Sequence, residues 1–231
     1  TRMSQPPRIG PELFEFLRDL AENNNRDWFQ ANKARYENDV REPMLQLISD
    51  FASPLRQISR HFVADPRRSG GSLFRIYRDT RFAKDKTPYK TNVAAQFRHR
   101  QGKDVHAPGF YLSLEPGTVH AGTGLWHPDS KSLKTIREAI VERPRAWKSA
   151  IGGTDFRQTF EMYGDSLKRA PKGFDPEHPL IEDLRRKDFV GMKQFDEADA
   201  VRPDFSDRFA DCCRKGAPLT RFLTQSLGLP G

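Results

Sequence analysis

From Pro11 onward, Leu13, Phe16, Leu17 and Leu20 recur at helical spacing, which predicts an amphipathic helix with Pro11 and Glu12 in its first turn. Asn23, Asn24 and Asn25 interrupt it. A second periodic run passes through Trp28, Phe29, Tyr36 and Val40 to Glu42, with Asn25 or a neighbour placed to cap it. Pro43 has no N–H to give to residue 39, so it opens a new helix or kinks the old one. Met44, Leu47, Ile48, Phe51 and Leu55 carry the pattern on. Pro66 to Ser72, with Gly70 and Gly71, closes this helical third of the chain.

The period then changes to two. Phe74–Tyr77, Val93–Arg98 and Phe110–Glu115 alternate between turn residues and read as strands. Val119–Trp126 adds a fourth, weakened by Gly122 and Gly124, and Asp188–Phe195 a further one. Their short connections favour antiparallel neighbours, because a parallel crossover needs about a dozen residues or more. Asp129 or Ser130 caps a helix through Leu133, Ile136 and Ile140, and Pro144 opens another containing Trp147 and Ile151. Phe156, Phe160 and Tyr163 continue helical spacing to Gly164. A proline-rich connection then leads to a short helix at Leu180–Arg186, and two terminal helices follow at Pro203–Arg214 and Pro218–Leu227. The expectation is an α+β fold, with a central, mainly antiparallel sheet of about four to six strands covered by N-terminal and C-terminal helices. It forms a single domain over residues 11–228 behind a loose tail over residues 1–10.

Composition supports an ordered chain: 36% of the 231 residues are hydrophobic, including 17 Phe. No run approaches the roughly 20 apolar residues of a membrane span, and TRMSQPPRIG lacks the apolar core of a secretory signal, so the expectation is a cytoplasmic protein with no membrane partner. The only cysteines, Cys212 and Cys213, are adjacent, which excludes a disulfide framework or a Cys-rich zinc site and leaves reduced thiols.

Charge changes the picture most. The formal net charge is +8, yet Arg67 to Lys103 alone contains eleven Lys or Arg against Asp79 and Asp85, so the rest of the chain is close to neutral. Such polarisation predicts an anionic ligand, either a phosphorylated or otherwise anionic small molecule or nucleic acid. If the strands are half-buried, Phe74 and Ile76, Val93, Ala95 and Phe97, and Phe110, Leu112 and Leu114 face a core. Arg75, Tyr77 and Asp79, then Gln96 and Arg98, then Tyr111, Ser113 and Glu115 then share the opposite face. In the small-molecule reading Arg75, Arg78, Arg81 and Lys86 clamp the anion, with Asp79 or Glu115 handling protons and Tyr77 beside them. Lys84, Asp85, Lys86, Thr87 and Pro88 form a polar turn, from which Lys84, Lys86 and Lys90 supply further charge and Tyr89 a stacking surface or hydroxyl. The plain alternative is a lattice of ion pairs on a solvated face. In the nucleic-acid alternative the same basic segment follows a phosphate backbone while Tyr77, Tyr89 or Tyr111 stacks on bases.

Nothing matches GxxxxGK[ST] or GxSxG, and no cofactor is indicated. The histidines are scattered. His106, His120 and Glu115 converge on a metal only if their strands are neighbours, and surface or hydrogen-bonded histidines are the favoured reading.

FRIYRDTRFAKDKTPYKT, preceded by NNNRDWFQANKARY and followed by GFYLSLEPG and RAPKGFDPEHP, resembles the family known as domain of unknown function 2461. The similarity runs from about Leu13 to Leu227, with its motifs in the expected order. It implies one domain of this length and brings no activity or cofactor with it. Positions matching the family's pattern include Asn24, Arg26, Trp28, Phe29, Asn32, Lys33 and Tyr36, and much of the stretch from Arg75 to Lys90. HAGTGLWHP departs from that pattern.

Overall fold

In the computed structural model, which describes residues 9–102 and 107–231, α1 (Pro11–Glu22) buries Leu13, Phe14, Phe16, Leu17 and Leu20. The tail expected over residues 1–10 lies outside the described residues, apart from Ile9 and Gly10. So does His106. The second helical run is broken. Asn25 caps α2 (Arg26–Ala31) by accepting the Trp28 N–H at 2.9 Å, α3 (Lys33–Arg35) follows, and a π-helical turn over Tyr36–Arg41 leads into α4 (Glu42–Ile58). Pro43 sits in the first turn of α4, directly after the π-helical turn, and helical backbone continues through Arg41 and Glu42 into it.

Among the described residues five antiparallel strands form one sheet, in the order β1 (Val93–Arg98), β2 (Gly109–Glu115), β3 (Thr118–Leu125), β5 (Phe189–Phe195) and β4 (Glu161–Tyr163). Its register pairs Ala95 with Leu112, Leu112 with Ala121 and Ala121 with Lys193. Val93, Ala95, Phe97, Phe110, Leu112, Leu114, Val119, Ala121 and Leu125 are buried in the main core, as the alternation predicts.

The core face is held to α10 (Phe205–Ser226) by a small polar joint. The Thr123 hydroxyl donates to the Gly216 carbonyl at 3.0 Å and lies 2.6 Å from the Thr220 hydroxyl. A Cβ on Gly216 would meet Thr123 at 2.7 Å, so glycine is what lets helix and sheet approach this closely. The two terminal helices expected from the sequence are this one helix. Pro218 lies within it, because burial of Phe209, Cys213, Leu219 and Phe222 along one continuous face outweighs one lost backbone hydrogen bond.

Two further expectations are corrected. Helical spacing from Phe156 to Tyr163 gives only α7 (Thr154–Thr159), after which the chain turns into the edge strand β4. Phe156 and Phe160 are both buried, so their spacing is satisfied without a continuing helix. Phe74–Tyr77 is not a strand. Single bridges at Leu73↔Ala95 and Tyr77↔Tyr89 replace it, since the chain leaves the edge of β1 after Phe74. The remaining helices are α5 (Ser130–Glu142), α6 (Pro144–Gly152), α8 (Ile181–Arg185) and α9 (Glu197–Ala200), and α5 is capped by Asp129. Among the described residues no helix is long and apolar enough to cross a membrane.

His99, fully buried, ties the end of the sheet to the C-terminal segment. Its Nδ1 accepts from the Gln101 N–H at 3.2 Å, so Nε2 carries the proton and donates to the Pro230 carbonyl at 3.0 Å. Burial, with lesser effects from His61 and Arg100, holds its pKa below the ordinary histidine value against the opposing Pro230 bond. A depressed histidine binds its proton more readily in the unfolded chain, so its contribution is complete above the ordinary value and fades as pH falls below it. The urea midpoint is therefore expected to decline between about pH 7 and pH 5, above the range of the carboxylates, and His99→Gln is expected to flatten that part of the profile.

Candidate functional site

RIYRDTRFAKDKTPYK folds back on itself. The Arg78 N–H donates to the Pro88 carbonyl at 2.9 Å and the Lys90 N–H to the Ile76 carbonyl at 2.8 Å, closing a hairpin-like excursion from the edge of β1. Asn24 clamps its base: the side-chain amide donates to the Tyr89 carbonyl at 3.0 Å and accepts the Tyr89 N–H at 3.1 Å, pairing as a neighbouring strand would. Beneath it Tyr89 is 2% exposed and stacks on Phe29 with ring centroids 4.1 Å apart. Tyr77, half exposed, leans on both rings.

Beyond this base the charges largely satisfy one another. Arg78 pairs with Asp85 and bonds the Thr87 hydroxyl, Arg81 Nη2 is 2.7 Å from Asp79 Oδ2, and Lys86 Nζ donates to the Thr80 carbonyl at 2.8 Å. Both acids are held well below the usual carboxylate range, at about 2. For Asp79 the main cause is the Arg81 side chain; for Asp85 it is the Thr87 N–H, with Arg78 adding to it. A carboxylate that acidic is a weak proton acceptor at neutral pH. Lys84 and the aromatic ring of Phe82 are exposed at the tip.

A cavity of about 500 Å³ lies elsewhere, on the sheet face opposite the core. Its floor is Ala94 and Gln96 of β1, Tyr111 of β2, Gly122 and Gly124 of β3, and Val190 and Met192 of β5. Phe74 stands at one end, its ring centroid 6.3 Å from that of Tyr111. At the other end Trp126 and Tyr163 stack at 5.6 Å, with ring planes 18° apart. Phe74 was expected on the core face. It lines the groove instead, because the bridge at Leu73↔Ala95 places Leu73, not Phe74, on the core side.

Among the described residues Lys90 is the only charged one lining this groove. Its ammonium donates to the Arg75 carbonyl at 2.8 Å and sits 5.5 Å from the centre of the Phe74 ring. Burial, and then the nearby Arg75 charge, lower its pKa. Asn92, also in the lining, donates to the Ser113 hydroxyl at 2.9 Å. Burial pushes the Tyr111 phenol up, with Ser113 opposing the shift and Glu115 adding to it.

One buried carboxylate positions the aromatic pair. Asp188, 1% exposed, accepts the His127 N–H at 2.9 Å and lies 3.0 Å from His127 Nδ1. Its other oxygen accepts the Asp165 N–H at 3.1 Å. It thus fixes the chain just after Trp126 and just after Tyr163. Gly164 adopts φ 115°, and a Cβ there would meet the Asp188 Cβ at 2.4 Å, so glycine is needed between Tyr163 and that contact.

Of the residues singled out from the sequence, Lys90 and Tyr111 come together here, with Arg75 next to Lys90 and Glu115 at the end of the Tyr111 strand. Arg78, Asp79, Arg81, Lys84 and Lys86 belong to the hairpin, Tyr77 and Tyr89 to its base, and Arg98 to the far end of β1. His120 lies opposite Ser113 and Gln194 on the strands flanking β3, and among the described residues no three His, Cys, Asp or Glu are grouped to hold a metal. Sequence reasoning passed over Phe74, Gly122, Gly124, Trp126, Tyr163 and Met192 as lining residues. A signal for two of them existed: glycines two apart in a strand strip the side chains from one face.

A search of curated proteins returned no match. The family described as conserved hypothetical protein (DUF2461) matches residues 12–222, nearly the whole length over which hairpin, sheet and groove are built, and the chain belongs to that family.

Proposed function

We propose that the groove binds a small anionic molecule bearing a flat, apolar portion. The supporting observation is its lining among the described residues: a half-buried cation, Lys90, set among aromatic, aliphatic and neutral polar side chains. A cation at the edge of an apolar groove acts through a lower effective dielectric than one in open water, so its attraction for a carboxylate or phosphate is stronger. Tyr111, Phe74 and the Trp126–Tyr163 pair offer faces for a planar group, and Gln96 and Asn92 supply polar side chains beside them. Arg75 and exposed Lys84 add longer-range positive potential, whereas Arg78 and Arg81 already have carboxylate partners. Cys212 and Cys213, both free and buried, accord with a reducing, cytoplasmic setting.

The test is a fluorescence titration with anilinonaphthalene sulfonate, competed by aromatic carboxylates and aromatic phosphate monoesters. Saturable one-to-one binding is expected, weakened about tenfold or more by Lys90→Met, while uncharged aromatic competitors lose little on that substitution. Absence of saturable binding at low salt, or equal losses for charged and uncharged ligands, would sink the reading. Tight binding of single-stranded oligonucleotides, falling steeply with salt and indifferent to Lys90→Met, would favour a nucleic-acid function instead.

A further inference from the structure

A second cavity, of about 250 Å³, opens where the chain leaves α4 and runs beside α10. Arg56, Arg60 and His61 line one side and Arg221 the other, above an apolar base that includes Phe62 and Phe110. Among the described residues no Asp or Glu side chain belongs to the lining, which Gly231 completes beside Arg221. Among the described residues none of these three arginines has a carboxylate within salt-bridge distance, in contrast to Arg67, Arg68, Arg78 and Arg81. Arg100 adds to the local charge while its guanidinium is held by the Arg60 carbonyl at 2.8 Å.

From this geometry we infer a second anion site, suited to the phosphoryl class: a diphosphate, or the phosphate end of a larger molecule. Arg56, Arg60 and Arg221 place three like charges around one small cleft, and their mutual repulsion is relieved when a multiply charged oxyanion enters. Guanidinium groups meet phosphate oxygens through paired N–H donors, so several arginines around one cleft suit phosphate better than a spherical halide. The apolar base limits screening by water on one side. His61 contributes a further ring nitrogen near the anion. His99, stacked on it with centroids 5.6 Å apart, is engaged at both nitrogens and serves to hold the wall. The site is built from different residues than the groove, except for Phe110, which lies under both.

Isothermal titration of the intact chain with pyrophosphate at low salt tests it, with inorganic phosphate and sodium chloride at matched ionic strength as comparison arms. The expected result is one saturable site for pyrophosphate, weaker binding of phosphate and none of chloride. The Arg60→Ala/Arg221→Ala double variant, altered only at exposed side chains, is expected to weaken pyrophosphate binding about tenfold or more, and Gly122→Val to leave it unchanged. No saturable heat, binding no tighter than that of chloride, or full affinity in the double variant at an unchanged unfolding midpoint would overturn the inference.

Discussion

Gly122→Val is expected to abolish ligand binding in the groove while leaving the protein at least as stable as the parent. Gly122 lies in the middle of β3, paired with Tyr111 on one side and Met192 on the other. A Cβ there would find nothing closer than Tyr111 Cβ at 3.5 Å and the Met192 sulfur at 3.7 Å, both ordinary contacts. The backbone therefore does not require glycine, in contrast to Gly124, where a Cβ would lie 2.0 Å from the Phe189 carbonyl oxygen. Glycine inside a strand costs roughly 0.5–1 kcal/mol in chain entropy, and a β-branched residue suits the pleated surface better. What valine changes is the floor, where its methyl groups occupy space between the aromatic ends. The measurement pairs an anilinonaphthalene sulfonate titration with urea unfolding. At least about a hundredfold weaker binding is expected, with an equal or higher urea midpoint. Unaltered binding would show that ligands do not reach the sheet floor.

Asp188→Ala is expected to lose about 3–5 kcal/mol of unfolding free energy, and with it the stacked pair that ends the groove. The substitution orphans the His127 and Asp165 N–H groups and the His127 ring, all of which converge on a carboxylate that is almost fully enclosed. His127 adopts φ 49°, a backbone conformation that a non-glycine residue holds only when its surroundings demand it, and here the demand comes from Asp188. Urea unfolding gives the energy, and Trp126 fluorescence reports the stack with Tyr163. A loss below about 1 kcal/mol, with unchanged emission, would show that the anchor is dispensable.

How far each feature was legible depends on whether its cause is local. Asn25 and Asp129 were identifiable as caps because a cap acts on an N–H three residues away. Val93 to Arg98 and Phe110 to Glu115 declared their faces through alternation, which the pleat imposes on each strand alone. Phe74 misled, because its side of the sheet was set by where one bridge to Ala95 falls, and a slip of one residue exchanges the faces. β4 was hidden for a related reason: its three residues pair with β5 across a long stretch of intervening chain. The charges of RIYRDTRFAKDKTPYK were visible, but not that Arg78 would meet Asp85 and Arg81 would meet Asp79.

From the chain alone came the α+β class, the antiparallel sheet, the core faces of its central strands and a concentration of positive charge near Lys90. Short-range sterics, capping and the burial of regularly spaced apolar residues suffice for these. Tertiary structure alone decided that Lys90 and Tyr111 share a groove with Trp126, Tyr163 and Met192, while most of the hairpin's charges turn to one another. Those outcomes depend on strand order and on which distant groups come within a few ångströms, and neither follows from any residue's immediate neighbours.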